Sequence, residues 1–190
     1  AKKYLKFVTD FNFNPFPNSF GFSTRAQRLH QRTSYRFAGA SQNTWYNKRF
    51  TWDRSYDLKW DLSKSLKVTF NAVNNTVIDE PNGAIDTEAK RDTIMTNLRD
   101  WGRNKNYQHN MNITYNVPLK NIPFLDWIQV KAQYNTNYNW QAAALNVDTL
   151  GNVISNSSTR QINGDLNFVS LYNKSKYLSK INGKAGKKGG

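Results

Sequence analysis

The chain has 190 residues, carries 27 Lys and Arg against 13 Asp and Glu for a formal charge of +14, and contains no cysteine. Disulfides, thiolate metal sites and cysteine nucleophiles are therefore excluded, and no apolar run approaches the roughly 18 residues that a membrane-spanning helix needs. A mean hydropathy of -0.78 would suit a soluble domain. Strands wetted on one face and lipid-covered on the other average to similar values, and the 10 Tyr, 11 Phe and 6 Trp favour pleated or interfacial surfaces.

Ala1-Lys2-Lys3-Tyr4 shows no initiator Met and no signal pattern, so the chain reads as an interior piece. Weak period-two alternation predicts a first strand over Leu5 to Phe13 and a second over Phe20 to about Arg36, separated by the turn Asn14-Pro15-Phe16-Pro17-Asn18. The third, Trp45 to Leu62, sets Phe50, Trp52, Tyr56, Leu58, Trp60 and Leu62 against Thr51, Asp53, Ser55, Asp57, Lys59 and Asp61. Arg54 interrupts its apolar face. Arginine at mid-membrane costs about 2–4 kcal/mol in a barrel, so Arg54 must snorkel to an interface or pack on protein.

The fourth strand, Leu66 to Ala72, opposes Leu66, Val68, Phe70 and Ala72 to Lys67, Thr69 and Asn71. The fifth opposes Met111, Ile113, Tyr115 and Val117 to Asn110, Asn112, Thr114 and Asn116. In the sixth, Ile128, Val130, Ala132, Tyr134, Thr136, Tyr138, Trp140 and Ala142 alternate without a slip with Gln129, Lys131, Gln133, Asn135, Asn137, Asn139 and Gln141. Ile162 to Phe168 is a weaker seventh. From Ile128 to Trp140 the chain extends roughly 40 Å, or roughly 30 Å across a membrane at barrel tilt, whereas globular strands run about 5 or 6 residues. Trp127 at one end and Tyr138 with Trp140 at the other are placed as interfacial rings would be.

Short turns (Asn14 to Asn18, Ser63 to Ser65, Lys120 to Asp126) alternate with longer links (Phe37 to Asn43, Asp79 to Asn106, Asn146 to Ser158), as in an up-and-down barrel with periplasmic turns and outer loops. The longest link holds a predicted helix over Thr87 to Arg103, with Ala89, Ile94, Met95, Leu98 and Trp101 roughly on one side. A second short helix is predicted over Tyr172 to Ile181. Gly183 to Gly190 is set aside as a loop or an artificial end.

Chemistry-bearing patterns are few. His30 and His109 belong to no metal-ligand spacing. Asp79-Glu80 opens a Pro-Asn-Gly turn, and Asp53 with Asp57 alternates with apolar residues on a strand, so neither reads as an acid/base pair. Phosphate loops and nucleophile elbows are missing. Neither enzymatic activity nor a cofactor is expected. Nucleic-acid binding would interleave aromatics with Lys and Arg on one surface; here the aromatics share a face with Val, Leu, Ile and Ala.

Four stretches resemble the SprA/Sov family, the giant outer-membrane barrel translocons of the type 9 secretion system in Bacteroidota. They are Asp10-Phe11-Asn12-Phe13-Asn14-Pro15-Phe16-Pro17-Asn18-Ser19-Phe20; Val117-Pro118-Leu119 through Pro123-Phe124-Leu125-Asp126-Trp127; Tyr134 to Trp140; and Leu150-Gly151-Asn152-Val153-Ile154-Ser155-Asn156 followed by Leu171-Tyr172-Asn173-Lys174. The resemblance implies a channel that conducts folded cargo and, in gliding species, delivers motility adhesins. It also implies a barrel of far more than seven strands and no catalytic residues.

The expected architecture is all-β: a partial antiparallel transmembrane barrel over residues 1–182 without an internal boundary, in the bacterial outer membrane. The expected lipid-facing set is Phe50, Trp52, Leu58, Trp60, Leu66, Val68, Phe70, Met111, Ile113, Tyr115, Val117, Ile128, Val130, Tyr134, Tyr138 and Trp140. The expected lumen-facing set is Lys67, Thr69, Asn71, Asn110, Asn112, Asn116, Gln129, Lys131, Gln133, Asn135, Asn137 and Asn139. Expected partners are outer-membrane lipid, the remaining barrel strands, secreted cargo and other secretion components, and not nucleic acid. A small barrel acting as pore or adhesin and a soluble basic β-protein binding nucleic acid are the alternatives.

Overall fold

The computed structural model describes residues 12–35, 44–122, 124–145 and 151–175. They form one six-stranded antiparallel sheet in strict sequence order. Its strands are β1 (Ser19–Ser34), β2 (Thr44–Trp60), β3 (Leu66–Val77), β4 (Arg103–Val117), β5 (Ile128–Gln141) and β6 (Val153–Leu166). The shortest has 12 residues and the longest 17, well beyond the globular norm. Every strand pairs with its neighbour in the chain, so the fold is an up-and-down meander in which each ladder closes over a local connection.

The sheet is open. Among the described residues β1 pairs only with β2 and β6 only with β5. Among the described residues no second layer extends over the whole sheet, and the buried apolar side chains are Ala72, Ile78 and Ile94 alone. A sheet of this kind has no core of its own, because a core requires two packed layers or closure of the sheet upon itself. No helix among the described residues is long and apolar enough to cross a membrane, which says nothing of crossing by strands.

Several expected boundaries move. Residues 5–11 of the expected first strand lie outside the described residues, as do the link over residues 37–43 and most of the expected helix Tyr172 to Ile181. Asn12 and Phe13 are not in a strand. Asn14 to Asn18 does not turn back but stays beside the exit of β2, where Asn18 N donates to Lys59 O (2.9 Å) and Asn14 N to Leu62 O (2.9 Å). β3 runs five residues past Ala72, β4 begins at Arg103, and the last strand spans Val153–Leu166, so Phe168 falls in a helix instead. As a result the connections 118–127 and 142–152 are nearly equal in length, and the short-and-long alternation is weaker than expected.

Tight turns at one end are made by side chains that satisfy the backbone. Ser63 Oγ accepts from Ser65 N and Leu66 N (3.2 and 3.0 Å) between β2 and β3. Between β3 and β4 lies helix α1 (Glu88–Arg99), starting one residue after the expected Thr87. Trp101 and Gly102 both take positive φ (66° and 71°) and turn the chain from α1 into β4. A Cβ on Gly102 would stand 2.6 Å from Ile78 Cδ1 and 3.0 Å from Val77 O, so only glycine fits. The register shift between Asn75 and Thr76, opposite Lys105, marks a bulge near the same corner. Helix α2 (Phe168–Tyr172) follows β6, with Asn167 Oδ1 accepting from Ser170 N (2.9 Å) at its start.

Candidate membrane and channel faces

The register decides which side chains share a face, because residues directly opposite one another project the same way and successive residues alternate. Phe20, Leu58, Phe70 and Met111 stand in one row, continued by Thr136 and Ser158. Trp60, Val68, Ile113 and Tyr134 form the next row, then Leu66, Tyr115, Ala132 and Ile162, then Val117, Val130 and Gly164. Ile128 lies beyond these rows, and Phe50, Trp52, Tyr138 and Trp140 lie in the opposite direction. The whole expected lipid-facing set thus occupies one face.

The apolar stretch also shifts along the sheet. It covers Phe20 and Phe22 in β1, Tyr56 to Trp60 in β2, Met111 to Val117 in β4 and Ile128 to Tyr134 in β5, stepping towards the 61–65 turn end across the sheet. Strands tilted against a horizontal apolar band produce this skew. Aromatic side chains stand at its two limits. His109 stacks on Tyr138 (5.1 Å) with Tyr107 alongside (5.5 Å) at the outer limit, and Trp127, Phe168 and Tyr172 contact one another in series (6.0 and 6.4 Å) at the other.

The opposite face is amide-rich. Asp57, Asn71, Asn110, Asn137 and Ser157 share one row, and Lys59, Thr69, Asn112, Asn135 and Thr159 the next. Lys67, Gln133, Asn116, Lys131, Gln129 and Asn139 complete the expected lumen-facing set on this side. Cross-strand bonds knit it together: Asn71 Nδ2 donates to Asp57 (2.5 Å), Asn75 to Asp53 (2.7 Å), and Asn110 to Asn135 and Asn137 (3.1 and 2.5 Å). A shallow groove of about 330 Å³ runs between Asn71, Asn110, Asn137, Asn139 and Ser155. Val73, Val77 and the exposed Leu29, Trp45 and Val153 are apolar exceptions.

At the end of the sheet away from the 61–65 turn, residues 78–102 fold back over the apolar face of β1 to β3. Ile78, only 1% exposed, donates its N–H to Phe50 O (2.9 Å). Arg28 reaches the buried Glu80 (2.6 Å), and Lys48 Nζ donates to Pro81 O (2.8 Å). Trp101 lies flat on Trp52, centroids 5.3 Å apart and planes 8° from parallel. The Arg54 guanidinium stands 5.2 and 5.1 Å from these two rings, donates to Trp101 O (3.4 Å) and is 5% exposed. Of the two fates open to Arg54, it therefore packs on protein. Trp52, expected against lipid, meets Trp101. Arg160, also on the apolar face, sits 5.9 Å over the Tyr134 ring. Both cations are placed on aromatic faces, where the ring quadrupole attracts them.

Each carboxylate that could suggest acid/base chemistry has a partner. Asp79 accepts two bonds from Arg103 (2.8 and 2.9 Å), and the first of these effects, the hydrogen bond, holds its carboxyl below the ordinary value despite some burial. Asp86 and Asp126, also outside the strands, are held low by Lys90 and Lys174. Glu80 pairs with Arg28, while Asp53 and Asp57 accept from asparagines. No group of three or more His, Asp or Glu side chains stands together among the described residues. The packing of Ile78 and Glu80 was not anticipated; the unbroken run Thr76-Val77-Ile78 was its only sequence signal. Neither protein-family models nor curated proteins match this chain.

Proposed function

We propose that this chain is part of the wall of an outer-membrane β-barrel that conducts proteins, of the type 9 translocon kind that its wording resembles. The observation that carries the reading is that a long-stranded meander, alternating most regularly through the paired parts of β3, β4 and β5, sets its apolar residues on one face and its amides on the other. An uncovered apolar face in water is costly, at about 25 cal/mol per Å². Lipid removes that cost without a second protein layer, and the closed ladder of a barrel satisfies every backbone group in the bilayer. The open edges at β1 and β6 call for further strands of the same barrel.

The amide face suits a hydrated lumen. Asn, Gln, Ser and Thr hydrogen-bond water and offer passing cargo little apolar grip. Arginine at a lipid-facing position near mid-membrane costs about 2–4 kcal/mol. Val130→Arg or Tyr134→Arg is therefore expected to sharply reduce the amount of protein assembled in outer membranes, while Gln133→Arg or Asn135→Arg leaves it near normal. Equal loss in both pairs would remove the assignment of the faces.

A further inference from the structure

A groove of about 800 Å³ opens between the outer halves of β1 and β2 and the segment carrying α1. Arg28 and Arg32 from β1 and Arg91 from α1 border it, Tyr46 lies on its strand side, and Ile94 and Met95 form its apolar wall. Arg28 is engaged by Glu80. Arg32 and Arg91 form no ion pair among the described residues, and both are exposed. The groove lies on the same face as Leu58, Phe70 and Val130, beyond the row of Tyr107, Arg54 and Thr24, with Arg28 opposite Phe50 and Arg32 opposite Tyr46. Two unpaired guanidiniums beside an apolar wall suit an amphiphile whose head is a phosphate and whose tail is aliphatic.

We propose that this groove binds the phosphate-bearing headgroup of an anionic membrane lipid. Arg32 and Arg91 clamp the phosphate, since guanidinium matches its geometry with paired donors, and the lipid chain runs along Ile94 and Met95 down into the apolar band. The cavity is within the size range of small-ligand sites, about 300–1,000 Å³. Charge complementarity selects this occupant: Arg28, Arg32 and Arg91 make the rim cationic, and the carboxylates of Glu80 and Asp86 beside it are engaged by Arg28 and Lys90. The inference rests on the lipid-facing assignment above.

The test uses the full-length protein reconstituted into phosphatidylcholine nanodiscs, with a fluorescent phosphatidylglycerol as probe. The protein is expected to concentrate the probe over labelled phosphatidylcholine, and Arg32→Gln with Arg91→Gln to reduce that enrichment roughly tenfold. Arg25→Gln with Lys59→Gln, on the opposite face, should leave it unchanged. Excess inorganic phosphate should not displace the probe. Displacement by phosphate, or by a single-stranded oligonucleotide, would overturn the lipid assignment, and enrichment indifferent to Arg32 and Arg91 would overturn the site. Failure of the unaltered protein to enter nanodiscs would instead overturn the lipid-facing reading beneath it, so the two failures are distinct.

Discussion

Arg54 shows how one residue can break a pattern and still be well placed. Its charge interrupts the apolar face of β2, and the stacked indoles of Trp52 and Trp101 both stand beside it. Cation–π contacts are worth about 0.5–2 kcal/mol and an aromatic pair about 0.5–1.5 kcal/mol. Trp101→Ala should therefore loosen the 78–102 segment enough to raise its cleavage by a protease roughly tenfold, with strand content by circular dichroism unchanged; an unchanged cleavage rate would show that the stack does not hold the segment. Asp79 and Arg103 add a pH dependence. The folded pKa of Asp79 lies below its ordinary 3.8, so its contribution is complete above that value and is lost as pH falls through the folded pKa. The pair is half-exposed, which limits the effect to under about 1 kcal/mol. Cleavage of the segment should rise modestly below about pH 4, and Arg103→Gln should abolish that rise.

Among the elements, the parts legible in the sequence are those that face two different media. β5 alternates from Ile128 to Trp140, apolar side chains on one face and amides on the other, so its bounds were foreseen to within a residue. The start of β4 at Arg103 was not foreseen, and although the end of β3 at Val77 agrees with a link from Asp79, its alternation was legible only to Ala72. Beyond Ala72 the apolar face of β3 carries Asn74 and Thr76, which lie close to the 78–102 segment, and β4 enters through a bulge at Lys105. There the surroundings are protein and water on both sides, and no period survives. β6 is similar: Asn156, Ser158 and Arg160 occupy the apolar face, and the strand is held by its ladder to β5 more than by its own pattern. The helix α1 was visible through its apolar positions, but its docking was not, because it depends on Ile78, Glu80 and Trp101 meeting residues far off in the chain. Gly102→Ala tests that corner. A Cβ there meets Ile78 and Val77 O, so the substitution should undock the segment at least as severely as Trp101→Ala, seen in the same cleavage assay.

For the whole molecule, the decisive fact is that the six long strands of the described residues make a sheet with no core between layers. Marginal stability in water follows, since burial between layers is the main favourable contribution to folding. The same sheet in a bilayer gains its burial from lipid, and its two open edges from neighbouring strands. Because the chain contains no cysteine, single cysteines can be introduced along β5 without removing any of its own. Cysteines at positions 129 to 140 in the membrane-embedded protein, challenged with a water-soluble maleimide, should react at Gln129, Lys131, Gln133, Asn135, Asn137 and Asn139 and resist at Val130, Ala132 and Tyr134. Uniform reactivity, or resistance at the amide positions instead, would contradict a wall with lipid on one face and water on the other.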